Sequence, residues 1–166
     1  MNPHPFSYDV LIEDNNWNTL LPDHEAVIDR ALIAINAYAP DIPKDREMEL
    51  SITLTNDAHI QDLNHDYRDK DKPTNVLSFP QIDWSEGISD QEPLIMLGDV
   101  VCALETIARE AKEQYKTLDH HFIHMLIHSV LHLFGYDHED EQEAEEMEAL
   151  EINILNKMGI KNPYQT

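Results

Sequence analysis

Six of the ten histidines fall between His120 and His138. Within HSVLHLFGYDH (128–138), His128 and His132 are four residues apart. On an α-helix that spacing puts two side chains on one face, about 6 Å apart along the axis. Two imidazoles so placed can reach one metal ion. Gly135, one of only four glycines in the chain, comes three residues after His132. Glycine accepts the left-handed conformation that ends a helix and turns the chain back. Such a turn can bring His138 to the same point as the pair. Three neutral nitrogen ligands with one open position describe a catalytic zinc site rather than a structural one. Imidazole ligands also suit other divalent transition metals. His124 lies one turn earlier on the same stripe. As a fourth protein ligand it would close the site, so it is assigned to packing or to support of a ligand.

The spacing also matches the metal-binding pattern of the metzincin proteases, HExxHxxGxxH. In that pattern the Glu after the first histidine is the general base for peptide hydrolysis. Here the position is Ser129. A serine hydroxyl cannot replace a carboxylate at neutral pH, so a peptidase would need a base from elsewhere.

Taken together, the motifs resemble those of the YbeY family of bacterial rRNA maturation factors. HSVLHLFGYDH is similar to the family signature HGxLHLxGYDH, with Ser129 in place of the usual glycine. YRDKDKPTNVLSFP (67–80) resembles the family's arginine loop and following strand, and LGDVVCA (97–103) its LGD strand. The three stretches occur in the family's order. The resemblance implies an α+β fold and one zinc-type ion held by His128, His132 and His138. It implies an essential arginine at Arg68. It also implies a metal-dependent endoribonuclease that cuts single-stranded RNA, in late processing of small-subunit 16S ribosomal RNA and in ribosome quality control.

Phosphodiester cleavage builds negative charge on phosphate oxygens, and a guanidinium can grip two of them in a bidentate fork. Arg68 is the candidate for that role. Lys70 and Lys72 follow in the same segment and are candidate RNA contacts. Asp137 could orient a ligand histidine or cap the turn. Arg109, Lys112 and Lys116 recur at i, i+3 and i+7, a solvated helix face or a second phosphate track.

These residues need elements to position them. Alternation predicts strands at 8–12 and 49–55; a short strand at 76–79 ends at Pro80, and a mostly apolar strand at 95–103 is broken by Gly98. Helical spacing predicts a helix after Pro22 and one at 57–65 capped by Asn56. Tyr67 to Thr74 reads as a charged loop. Three helices close the chain at about 104–116, 118–134 and 140–157. The last carries an inward stripe of Met147, Leu150, Ile154 and Met158. This is an α+β pattern: one domain over 1–166, with a small mixed β-sheet of about four strands. Five or so helices pack on it, and the metal site lies at the end of a central helix.

The chain has 166 residues, 42% hydrophobic and 27% charged, the profile of a single globular domain. No stretch approaches the ~20 apolar residues of a membrane span, and no basic-then-apolar leader opens the sequence, so a cytoplasmic location is expected. Cys102 is single and set among apolar residues, a small buried side chain. Thirty-three acids against eleven bases give −22. That excludes a broad electrostatic nucleic-acid binder, though not RNA held at one local site. Nine acids lie between Asp137 and Glu151 and read as a solvated helix face. Basic ribosomal proteins or ribosomal particles are the expected docking partners beside single-stranded ribosomal RNA. A non-catalytic, metal-stabilised ribosome-assembly factor is the alternative outside enzymology.

Overall fold

The computed structural model describes residues 5–40, 42–43, 45–88, 93–137 and 139–164. Four strands form one mixed sheet in the order β1-β2-β4-β3. They are β1 (Phe6–Ile12), β2 (Glu47–Thr55), β3 (Val76–Pro80) and β4 (Leu94–Ala103). β1, β2 and β4 run parallel, and β3 pairs antiparallel with β4 at the edge. Six helices accompany them among the described residues: α1 (Asn16–Leu20), α2 (His24–Tyr38), α3 (Asp57–Arg68), α4 (Leu104–Glu113), α5 (Leu118–Leu133) and α6 (Glu141–Lys157). The expected α+β architecture is therefore present.

The alternating strands bury the sides their sequences predict. Leu50, Ile52 and Leu54 of β2 are buried, while Ser51 and Thr53 are less so. Gly98 combines both effects expected of a glycine inside a strand. Leu97 is an extra residue in β4, bulged opposite Glu49/Leu50 of β2. At φ +137°, a Cβ on Gly98 would stand 2.2 Å from the carbonyl oxygen of Phe79 on β3. Only a residue without a side chain lets the two backbones approach that closely.

α5 is buried on nearly its whole circumference, histidines included, and is the central helix. It packs on β3, β4, α2, α4 and α6. Phe122 meets Trp17 of α1 at 5.0 Å between ring centroids, and the Trp17 indole N–H donates to the Thr55 carbonyl at 2.8 Å. Short α1, absent from the pattern reading, thus exists to seat one fully buried tryptophan. Cys102 is free and fully buried, and burial pushes its thiol pKa well up.

Two boundaries differ from the sequence reading. α3 runs three residues further, so Arg68 sits in its last turn rather than in a loop. α4 ends at Glu113, and Tyr115 follows at φ 57°, so Lys116 leaves the face shared by Arg109 and Lys112. Arg109 instead turns to Asp57 and Thr106. The continuous basic track along 109–116 does not exist.

Candidate metal and RNA site

α5 carries His128 and His132 on its last turns and ends in a glycine turn of defined geometry. The Gly135 N–H donates to the His132 carbonyl at 3.0 Å, and the Tyr136 N–H to the Leu131 carbonyl at 3.1 Å. These are the paired bonds of a Schellman motif, which requires the left-handed residue supplied by Gly135 at φ +95°. Trp84 closes over the turn, its indole N–H donating to the Leu133 carbonyl at 2.7 Å. The turn carries the chain back to Asp137 at the rim of the site. His138 lies outside the described residues.

The Nε2 atoms of His128 and His132 lie 3.2 Å apart, with the rings edge to face. Both line a cleft of about 390 Å³ together with Arg68, Ser78 and Asp137. Arg68 reaches it from the end of α3, across β3 from the histidines. Arg68 is exposed, and among the described residues no ion pair joins it to Asp69 or Asp71. Asp71 accepts from Gln61 instead. Asp69, at φ 56°, ends the helix and starts the loop. Asn64, almost fully buried in α3, pins that loop by donating to the Lys72 carbonyl at 2.9 Å. Lys70 and Lys72 are exposed on the loop beside the cleft rather than among the residues lining it.

The pair suits a metal ion. Two neutral ring nitrogens turned to each other at 3.2 Å repel unless a proton or a cation lies between them. The separation matches the ~3.3 Å edge of a tetrahedron built on Zn–N bonds of about 2.05 Å. Among the described residues no group of three His, Cys, Asp or Glu forms a complete ligand set.

Behind the pair stands a residue the sequence reading placed on a solvated face. Glu151, the ninth acid of the acidic run, is fully buried on the inward side of α6. Its Oε2 accepts from His128 Nδ1 at 3.0 Å, and its Oε1 accepts from His124 Nε2 at 2.7 Å and from the Tyr164 hydroxyl at 2.8 Å. Burial alone would raise its pKa, but the bonds and charges of the two histidines outweigh burial and hold it down to about 2. Burial lowers the pKa of His124, against the opposing pull of Glu151. Glu151 is thus a carboxylate that holds a site histidine, and Asp137 lines the cleft beside the pair. The signal for Glu151 was present: it lies four residues after Met147 and three before Ile154, an acid on the apolar stripe.

Ser129, next to His128, points the other way. It is fully buried, and its hydroxyl makes a short contact with the hydroxyl of Ser78 on β3. It supplies no base to the cleft. His121 and Glu110 form a separate pair at 2.9 Å behind α4.

A family model described as Endoribonuclease YbeY matches residues 12–159. The chain belongs to that family. The Endoribonuclease YbeY of Azorhizobium caulinodans is 49% identical over 156 residues, which cover 94% of each chain. That of Paramagnetospirillum magneticum is 51% identical over 148 residues, 89% of each. The YbeY match takes in Arg68, both cleft histidines and Glu151, whereas Tyr164 lies beyond it. No described helix is long and apolar enough to cross a membrane.

Proposed function

We propose that the chain is a metal-dependent endoribonuclease that cuts single-stranded RNA. It would act in the cytoplasm, in maturation of small-subunit ribosomal RNA ends and in ribosome quality control. The observation that carries this reading is the convergence of His128 and His132 Nε2 in the cleft that Arg68 also lines. His128 and His132 would hold a zinc ion or another divalent transition metal, with His138 as the third ligand. The bound ion supplies Lewis acidity toward a phosphoryl oxygen. Arg68 grips the non-bridging oxygens of the scissile phosphate and stabilises the charge that grows there in the transition state. Lys70 and Lys72 hold the neighbouring phosphates of the strand. Because the field of a −22 chain repels RNA, these local contacts must hold the strand.

The exposed acids of α6, from Glu141 to Glu148, support docking to basic ribosomal proteins or ribosomal particles. The same face would serve a non-catalytic assembly factor. The peptidase reading is disfavoured by Ser129, which is buried against Ser78 and offers no base.

Purified protein of known metal content, incubated with single-stranded RNA and with casein, separates the three readings. RNA cleavage that is lost in both His128→Ala and Arg68→Ala is the expected result. Casein cleavage would favour a peptidase. A bound ion without either activity, with co-sedimentation on ribosomal particles, would favour the assembly factor.

A further inference from the structure

We infer that Glu151 is a positioning residue for the metal site, and that Tyr164 in the C-terminal segment fixes it in that role. The inference rests on the metal reading of His128 and His132. It starts from which oxygen of Glu151 meets which donor. Tyr164 O–H and His124 Nε2–H both point at Oε1, leaving Oε2 to His128 Nδ1–H. A carboxylate has no proton to give, so each of the three partners must donate. His128 is therefore held in the tautomer that carries hydrogen on Nδ1 and a lone pair on Nε2. That lone pair faces the cleft, 3.2 Å from His132 Nε2.

Three independent segments enforce the arrangement. His128 and His124 come from α5, Glu151 from α6 and Tyr164 from the chain after α6. Glu151 is fully buried and His124 nearly so, so solvent has little access to the carboxylate that collects these bonds. The Nδ1 of His124 is also buried and has no partner among the described residues. An unmet lone pair there is cheaper than an unmet N–H, which keeps the His124 proton on Nε2 and directed at Glu151. The ring of Tyr164 packs edge-on against that of His124 at 5.5 Å.

Glutamine at 151 has the same shape but cannot satisfy all three donors. If its amide NH₂ faces His128, the histidine must accept on Nδ1 and carry its proton on Nε2, where no ion can bind. If the NH₂ faces His124 and Tyr164, His124 must place a proton on its unpartnered Nδ1 and Tyr164 must accept instead of donate. The first choice removes the lone pair from the cleft, and the second keeps it only by mispairing His124 and Tyr164, so the His128 tautomer is no longer held singly.

The full chain and its Glu151→Gln and Tyr164→Phe variants would be stripped of metal and titrated with zinc against a competing chelator. Long-range ¹H–¹⁵N spectra of the metal-free proteins would report the His128 tautomer. Wild-type protein is expected to show His128 protonated on Nδ1. Glu151→Gln is expected to lose that single tautomer and to bind zinc about 10- to 100-fold more weakly. Tyr164→Phe removes one donor and keeps the carboxylate, so its zinc affinity should fall roughly 2- to 10-fold, the worth of one net hydrogen bond. It also keeps the test open if Glu151→Gln fails to fold. Unchanged His128 tautomer with zinc affinity within twofold of wild type in the folded variants would overturn the inference. Wild-type protein that binds no zinc but shows the Nδ1–H tautomer lost in Glu151→Gln would instead overturn the metal reading and leave the positioning role standing.

Discussion

Arg68 stands at the end of α3 with its guanidinium free of Asp69 and Asp71, on a helix whose loop is pinned by Asn64. A lysine there keeps the charge and loses the fork. Arg68→Lys is expected to lower kcat/KM for single-stranded RNA by about tenfold or more, since one charge-assisted bond is worth roughly 1.5–3 kcal/mol. Steady-state cleavage assays check this, and activity within twofold of wild type would remove Arg68 from the chemistry. Gly135 belongs to the same scale. Alanine there pays about 1–2 kcal/mol for the left-handed conformation, and its Cβ would meet the Trp84 ring at 3.1 Å. Gly135→Ala should lower the melting temperature by several degrees and weaken metal binding, because the turn that follows His132 would reopen. The histidine pair was legible as residues because i, i+4 spacing fixes a helical face without knowledge of the partners. Glu151 was passed over because eight neighbouring acids made it look solvated, although its place between Met147 and Ile154 put it on the inward stripe.

At the scale of elements, β3 lines one wall of the cleft, and β4 pairs with it from behind. Gly98 sets how closely they approach. Gly98→Ala would drive a Cβ to 2.2 Å from the Phe79 carbonyl oxygen, a backbone atom that cannot step aside. The variant is expected to express as unfolded or aggregated protein, with loss of the native far-UV and thermal-melting signatures. A native melt would contradict the close approach. The period-two pattern of β1 and β2, the apolar run of β4 and the 3.6-residue pattern of α2 and α6 named these elements from their own residues. α1 was missed because five residues carry no readable period, and its reason for existing is a tertiary one, Trp17 against Phe122 and Thr55. The end of α3 was misplaced for a similar reason. The charged run from Tyr67 onward looks like a loop, yet the stop comes only at Asp69, where the left-handed backbone is stabilised by bonds to Asn64 and His65. The basic track on α4 failed because Tyr115 breaks the helix before Lys116.

Over the whole molecule, the charge of −22 leaves stability sensitive to how individual acids are held. Burial would raise the pKa of Glu110, but its bonds from His121 and Asn75, with the charges of His121 and Arg109, hold it below the ordinary carboxylate range. A carboxyl whose folded pKa is depressed binds fewer protons folded than unfolded. Its contribution is therefore complete above the unfolded glutamate pKa of about 4.3 and is lost as pH falls from there through the folded value. Chemical denaturation of wild type and Glu110→Gln at pH 7 and in steps down to pH 3 should show the gap between them narrowing only below about pH 4.5. A gap that stays constant with pH would place the effect of Glu110 in packing rather than charge. The mixed character of the sheet and a central helix at the site were expected from the order of elements, while the strand order β1-β2-β4-β3 was not. The site needed three-dimensional closure, since Arg68, His128 and Glu151 come from α3, α5 and α6.

The most direct measurement is single-stranded RNA cleavage by one preparation before chelation, after removal of bound metal, and after reloading with zinc or another divalent transition metal, beside His128→Ala taken through the same steps. Cleavage that disappears on stripping, returns on reloading and stays absent in His128→Ala is the predicted result. Undiminished cleavage by the stripped protein, or by His128→Ala, would contradict the assignment of the α5 histidines as the metal-holding centre of an endoribonuclease.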